Sequence, residues 1–98
     1  MHIIHTDNEN TGSFIAQDGA VKAGELTYSR IDKSAISIDH IVVAETHKGK
    51  GLGRQLLDSA IAFARKENIK ILPVCAYAKT VFERNRQMDD VVLRTPSN

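Results

Sequence analysis

Hydrophobic and polar residues alternate along the first half of the chain, which is typical of strands that bury one face. The alternation predicts a strand over residues 12–17 and a second one over residues 20–31. Asp18-Gly19 between them is a hairpin-turn signal. Gly24 interrupts the second strand and suggests a bend or a bulge there.

Residues 35–44 form the clearest strand of the chain. Strict alternation directs every second side chain to the same face. One face has Ile36, Ile38, His40 and Val42, and the other has Ser37, Asp39, Ile41 and Val43. The second face changes from polar to apolar after Asp39. We therefore expect this strand to run from a half-exposed region into one that is covered on both faces.

The second half of the chain predicts helices and short strands. Residues 51–68 have a helical period, with one apolar stripe formed by Leu52, Leu56, Leu57, Ala60, Ile61 and Ala64. An apolar strand follows at residues 69–75, where Pro73 cannot donate a ladder hydrogen bond, so we expect pairing to fail on one side there. A second helix is predicted at residues 78–86, with Val81 and Phe82 facing inward.

The remaining sequence predicts at most one more short strand, at residues 91–93. The polar tail, residues 94–98, is expected to be mobile. The element order is thus antiparallel hairpins, then strand, helix, strand, helix. It predicts an α+β fold whose mixed, mostly antiparallel sheet contains a right-handed parallel β-α-β unit.

Length and composition narrow the function classes. With 98 residues the chain forms one domain, residues 1–98. A net charge of +1 argues against nucleic-acid binding by bulk electrostatics, and no apolar stretch is long enough to span a bilayer. No signal peptide is visible, and the single cysteine, Cys75, fits a reducing cytoplasm. His2, His5 and His47 have no partner at metal-ligand spacing, so no metal site is predicted.

The segment with the clearest chemical signal lies between the 35–44 strand and the first helix. It reads Lys48, Gly49, Lys50, Gly51, Leu52, Gly53, Arg54. Glycines let the backbone approach a ligand, and the helix start offers free N–H groups, which together suit a phosphate. The spacing matches neither a Walker A loop nor a dinucleotide fingerprint. A plain glycine-rich turn on a solvated face remains the alternative.

The same segment resembles the acyl-CoA loop of the GCN5-related N-acetyltransferase (GNAT) superfamily, Arg/Gln-x-x-Gly-x-Gly/Ala, with Lys48 in the first place. A subgroup of short GNAT-like proteins is more similar still, since it has a strand histidine and a Pro-x-Cys-x-Tyr/Phe segment. Here these are His40 and the run from Pro73 to Tyr77. The resemblance covers nearly the whole chain.

The resemblance implies that the protein binds acetyl-CoA or coenzyme A as a co-substrate, without a metal. The pyrophosphate would lie on backbone amides from Lys48 to Arg54. The pantetheine arm would follow Ile41, Val42 and Val43 like an added strand, and a backbone N–H near Val42 would polarise the thioester carbonyl. The family's helices between its first two strands are absent here, so the acceptor side is the reduced part.

Four side chains are candidates for roles in the site, three of them near the acyl group and one at the CoA phosphates. Cys75 is either an acyl acceptor or a small buried hydrophobe, and His40 is either a base or a half-buried strand histidine. The two could meet if the strand register allows. Tyr77 is either the acid that protonates the thiolate or a packing residue, and Lys79 either contacts a CoA phosphate or is solvated.

These observations favour an acyl-CoA-dependent N-acyltransferase that acetylates a primary amine, by direct attack or through an acyl-Cys75 intermediate. A non-catalytic CoA-binding sensor or partner module and a plain interaction domain remain as alternatives. The acceptor could be a protein lysine, an N-terminus or a polyamine. The expected assembly is a monomer or a weak homodimer.

Overall fold

In a computed structural model that describes residues 1–93, one five-stranded sheet is packed with two helices. The strands are β1 His2–Asp7, β2 Thr11–Asp18, β3 Val21–Asp32, β4 Ala35–Val43 and β5 Lys70–Pro73. The helices are α1 Leu52–Glu67 and α2 Ala76–Arg84, and short 3-10 turns cover Glu45–His47 and Arg86–Met88. The tail that was expected to be mobile, residues 94–98, lies outside the described residues.

The sheet has the strand order β1-β2-β3-β4-β5. Its first three pairs are antiparallel and β4 pairs with β5 in parallel. The predicted mixed sheet and its β-α-β unit are therefore confirmed. Strand β1 was not predicted, because it is an edge strand with only Ile3 partly buried and has no clear alternation. The expected last strand is reduced to one parallel bridge between Ile71 and Val92.

Helix α1 covers one face of the sheet through its apolar stripe. All six predicted stripe residues are buried, and Phe63 packs beside Tyr28 of β3. The helix begins after Gly51 and ends at Asn68, both in the left-handed conformation. At Gly24 a β-carbon would lie 3.1 to 3.3 Å from the Val42 carbonyl and two α1 leucines, so α1 approaches β3 closely there.

A β-bulge at Asp39 changes the direction of the side chains in β4. Tyr28 pairs with Ile38 and Thr27 pairs with His40, which leaves Asp39 as an extra residue. Because directly opposite residues share a face of the sheet, Ile38 shares that of Tyr28, and His40 shares that of Thr27. His40 therefore lies on the face away from α1.

The strict alternation predicted for β4 was therefore wrong beyond the bulge. Ile41 pairs with Leu26 on the α1 face, whereas Val42 pairs with Glu25 on the opposite face. The burial expectation was reversed as well, since residues 35–38 are all buried and His40 and Val42 are exposed. The reason is that β5 pairs only with this first part of β4.

Candidate functional site

Strand β5 ends while the parallel strand β4 continues, so that a gap opens beside the second half of β4. Their last paired residues are Ile38 and Pro73, and the backbone N–H groups of Val74 and Cys75 both donate to the Ile38 carbonyl, at 3.2 and 3.0 Å. Beyond this point β4 continues to Val43 beside β3 alone, while the chain of β5 turns into α2. The loss of pairing occurs at Pro73, where the sequence predicted it.

The ladder between β3 and β4 shows which backbone groups face this gap. The N–H of Ala44 donates to the Ala23 carbonyl at 2.8 Å, and paired residues of an antiparallel ladder bond alternately. The groups of Val42 are therefore directed to β3, and the N–H groups of Ile41 and Val43 are directed into the gap. Near Val42, the N–H groups that face the gap are thus those of its two neighbours and not that of Val42 itself.

The glycine loop lies at the start of α1. Gly49 and Gly51 have φ angles of +80° and +75°, and a β-carbon added at either would meet no atom within 4 Å. Glycine is thus required by the left-handed backbone and not by crowding. No side chain caps α1, and its first turn contains no acidic residue. The N–H groups of Leu52, Gly53 and Arg54 have no partner within the helix and remain available to an anion.

Cationic side chains surround this loop. Lys48 lies 2.8 Å from Glu45, and the Arg54 Nε lies 3.0 Å from Asp58. Both pairs are solvent-exposed, so they are weak and can exchange partners with an incoming phosphate. Lys50 is exposed on the same loop. The local positive charge predicted from the sequence is therefore present on the surface of the loop.

His40 and Cys75 are separated by the parting of the strands. The parallel register, if continued two residues past Ile38 and Pro73, would set them opposite each other. Instead, the Asp39 bulge turns His40 to the exposed face away from α1, whereas Cys75 is half-buried and packs against the core. In residues 1–93, no hydrogen bond joins the two side chains.

Tyr77 marks the mouth of the gap on the α2 side. Its side chain is 43% exposed, and a β-carbon added at Gly53 would lie 3.5 Å from its ring. The starts of α1 and α2 are therefore in contact through this ring. Lys79 is exposed on α2, and its backbone N–H donates to the Cys75 carbonyl at 3.0 Å.

Sequence reasoning missed the role of His47. This side chain is buried, and its Nε2 lies 2.9 Å from Asp18 Oδ2 while its Nδ1 lies 2.9 Å from the Thr46 hydroxyl. The hydrogen bond from His47 is the largest influence that lowers the pKa of the Asp18 carboxyl. Asp18 and His47 lie far apart in the sequence, so spacing contained no signal for this pair.

Within residues 1–93, no three histidine, cysteine or acidic side chains gather closely enough to hold a metal ion. Nor is any described helix sufficiently long and apolar to cross a membrane.

Comparisons with known proteins agree with this geometry. A sequence profile of the family described as GCN5-related N-acetyl-transferase matches residues 13–91. The chain is also 31% identical to a GCN5-like protein from Staphylococcus aureus solved by NMR, with 95% of this chain and 90% of that one covered and a TM-score of 0.70. This chain therefore belongs to the GCN5-related N-acetyltransferase family, whose members transfer acetyl groups.

More distant structures share the fold. A GNAT acetyltransferase from Elizabethkingia anophelis with acetyl-CoA bound is 20% identical, with a TM-score of 0.63 over 76% of this chain and 52% of that one. The ribosomal-protein-alanine N-acetyltransferase from Brucella melitensis is 17% identical, with a TM-score of 0.66 over 93% of this chain and 67% of that one. No curated protein matches the chain.

Proposed function

We propose that this protein is an acetyl-CoA-dependent N-acetyltransferase that acts on a primary amine. The observation that carries the proposal is the gap between β4 and β5. Within residues 1–93, one wall of this gap has unpaired backbone N–H groups, and the glycine loop lies at its mouth. Family membership supports the acetyl group as the transferred group. The gap and the glycine loop of this chain support the place at which the transfer occurs.

The residues fit acyl-CoA without rearrangement of the sheet. The free N–H groups at the start of α1 suit the pyrophosphate, and Lys48, Lys50 and Arg54 add charge around it. The exposed edge of β4 suits an extended, amide-containing arm that pairs with Ile41 and Val43 as an added strand would. Lys79 on α2 is a further candidate for the phosphates. The co-substrate supplies an activated thioester.

In the proposed reaction the amine nitrogen attacks the thioester carbonyl carbon, the carbon–sulfur bond breaks, and the amine loses a proton. The N–H of Ile41 or Val43 stabilises the negative charge that develops on the carbonyl oxygen. His40 accepts the proton of the amine, directly or through water, since a neutral imidazole has one ring nitrogen that is a proton acceptor. Tyr77 protonates the departing thiolate.

We propose direct attack and not an acyl-Cys75 intermediate. A cysteine nucleophile needs a base or a positive charge beside it. His40, the candidate base, lies on the other side of the Asp39 bulge and makes no hydrogen bond to Cys75. The half-burial of Cys75 against the core instead suits a wall of the acyl pocket.

The proposal is tested in two measurements. Calorimetry with CoA should show binding that weakens several-fold in Lys50→Ala and is unchanged in Lys66→Ala, which removes an exposed lysine from the far end of α1. Release of free thiol from acetyl-CoA in the presence of amines should depend on His40, so that His40→Ala loses roughly 100-fold in rate.

Contrary results are equally distinct. CoA binding without thiol release from any amine identifies a sensor or a partner module instead of an enzyme, and no CoA binding overturns the proposal as a whole. Direct attack requires that Cys75→Ala retains turnover and that the wild-type protein incubated with acetyl-CoA alone gains no acetyl group by intact mass. An acetyl adduct on Cys75 that reacts onward with amine would establish the covalent route.

A further inference from the structure

The face of the sheet away from α1 presents a row of hydroxyl side chains that leads to His40. In the register of the sheet, Thr6 pairs with Ser13, Ser13 with Thr27, and Thr27 with His40. Directly opposite residues lie on the same face, with β-carbons about 5 Å apart. The candidate base therefore ends a continuous polar row that crosses four strands.

A cavity of about 360 Å³ lies along this row. Its lining includes Thr6, Ser13 and Thr27 from the row itself, together with the carboxylates of Glu25 and Asp39. No lysine or arginine lines it. Glu25 is paired with Lys22 at 2.7 Å, so the negative charge that the cavity offers to a ligand is that of Asp39. The candidate base His40 lies opposite Thr27, which lines the cavity.

Asp39 is held in a fixed orientation at this cavity. Ser29 Oγ donates to its Oδ2 at 2.5 Å, and Ser37 Oγ donates to its Oδ1 at 2.8 Å. The side chain is half-buried, and no lysine, arginine or histidine of residues 1–93 forms an ion pair with it. Each carboxylate oxygen can accept one more hydrogen bond. A half-buried negative charge without a cation is best satisfied by a cationic ligand.

We propose that this cavity is the acceptor subsite and that it binds the second ammonium group of a small linear diamine or polyamine. This assignment rests on the proposed acetyltransferase function. Asp39 binds the ammonium that does not react, and the carbon chain runs along the strand past Thr27 to His40, where the other amine is acetylated. Asp39 is bonded to Ser29, which lies two strand residues from Thr27 in the His40 row, roughly 7 Å away. A four-carbon diamine has this reach.

The experiment compares putrescine, a four-carbon diamine, with butylamine, which has the same chain and one amine. In the wild-type protein we expect kcat/KM for putrescine to exceed that for butylamine by roughly 10- to 100-fold, because an ammonium bonded to a carboxylate adds about 1.5 to 3 kcal/mol. Asp39→Asn should abolish most of this preference, which is a ratio of two kcat/KM values within one protein and so does not change with a loss that is common to both amines. Glu67→Gln, at the end of α1, is the matched control.

Because Asp39→Asn can also remove the β-bulge, a second variant tests the subsite with Asp39 in place. Thr27→Lys places an ammonium inside the cavity and should suppress putrescine turnover, while thermal stabilisation by CoA is retained. Binding is measured separately from turnover by titrating putrescine onto the CoA-saturated protein and following backbone NMR signals. We expect shifts at Ser29 and Asp39 that are absent with butylamine.

These outcomes separate the subsite from the enzyme activity. Putrescine shifts at the cavity without turnover would support the subsite and contradict the proposed catalysis. Equal rates for putrescine and butylamine, or a preference that survives in Asp39→Asn, would overturn the subsite while the acetyltransferase function stands. Faster turnover of a lysine-containing peptide than of putrescine would also overturn it, in favour of a protein acceptor.

Discussion

The imidazole of His47 lies 2.9 Å from the carboxylate of Asp18 and thereby joins two elements that are distant in sequence. His47 belongs to the 3-10 turn directly before the glycine loop, and Asp18 ends β2 at the hairpin. This contact is an anchor that ties the turn before the glycine loop to the end of β2, in addition to the backbone hydrogen bond from Ala44 to the Ala23 carbonyl of β3. The position of the proposed pyrophosphate site therefore depends on the hairpin.

Removal of this anchor should weaken both stability and CoA binding. The pKa of Asp18 is lowered chiefly by the His47 hydrogen bond, and the chain N-terminus and Lys50 add to the effect. A carboxyl whose pKa is depressed by folding stabilises the protein above its unfolded pKa, and this contribution is lost as the pH falls through the folded pKa. Asp18→Asn should therefore lower Tm at neutral pH, with a difference from wild type that shrinks below pH 3.8.

Asp32→Asn is the matched control for the anchor. The pKa of Asp32 is also lowered, by hydrogen bonds from Ser34 in the turn between β3 and β4. Its removal should lower Tm with the same dependence on pH but leave CoA affinity unchanged. Equal CoA affinities in wild type and Asp18→Asn would show that the glycine loop does not need the hairpin.

Gly51→Ala should cost stability and CoA affinity together. Gly51 has a φ of +75° in open space, so the methyl group meets no atom and the cost is backbone strain of about 1 to 2 kcal/mol. The strain is relieved if the loop leaves the left-handed conformation, which misaligns the first N–H groups of α1. Differential scanning calorimetry and CoA titration measure the two effects.

Asn68→Ala is the comparison at the other end of the same helix. Asn68 has a φ of +58°, so alanine is strained there too, and a similar loss of stability is expected. Because Asn68 lies at the far end of α1 from the gap, CoA affinity should not change. A variant at Asn68 that weakened CoA binding as much as Gly51→Ala would mean that the loss is a general effect of destabilisation.

Helix α1 could be predicted from the sequence almost to the residue. Its apolar stripe has a clear period, and Gly51 and Asn68 mark its ends because both tolerate a positive φ. The glycine loop could be located for the same reason, since its signal is local. The start of α2 was placed two residues too late, because the sequence has no cap residue there.

The orientation of His40 could not be predicted, because it depends on one extra residue in a ladder between two strands. Nothing in the sequence of β4 distinguishes Asp39 from its neighbours as the bulged residue, and a single bulge moves every later side chain to the other face. The same limit applies to His47 and Asp18. Contacts of this kind arise from tertiary packing, on which local periodicity has no bearing.

Gly12→Ala should destabilise the sheet strongly. An added β-carbon would overlap the end of the Tyr28 ring and lie 2.7 Å from the Thr6 carbonyl oxygen, so the aromatic ring must move. Overpacking of this kind costs about 1 to 3 kcal/mol. In a Tyr28→Leu background the ring is absent and the same substitution should cost less. Urea denaturation of the wild type, the two single variants and the double variant measures the free energy of unfolding of each. Strictly additive losses of stability would contradict the overlap.

His5 should make the stability of the protein fall as the solution is acidified through pH 6.5. Its ring stacks on Phe14 at 4.2 Å, and its Nε2 lies 2.7 Å from the Tyr28 hydroxyl. Although the residue is exposed at one side, contact of its ring with Phe14 and Phe63 partly desolvates His5 and lowers its pKa from 6.5, and the opposing charge of Asp7 does not offset this. Burial and Asp7 raise the pKa of Tyr28 to about 12, so its hydroxyl can donate to the neutral imidazole throughout this range.

The direction follows from proton binding. Between the folded pKa and 6.5 the unfolded chain binds more protons than the native protein, so stability rises with pH and is lost as the pH falls through this window. His5→Phe should therefore flatten the dependence of Tm on pH below 6.5. His2→Gln, which removes an exposed histidine from the same strand, should retain the wild-type dependence. Parallel Tm curves for wild type and His5→Phe would mean that the imidazole titrates in the folded protein as it does in the unfolded chain.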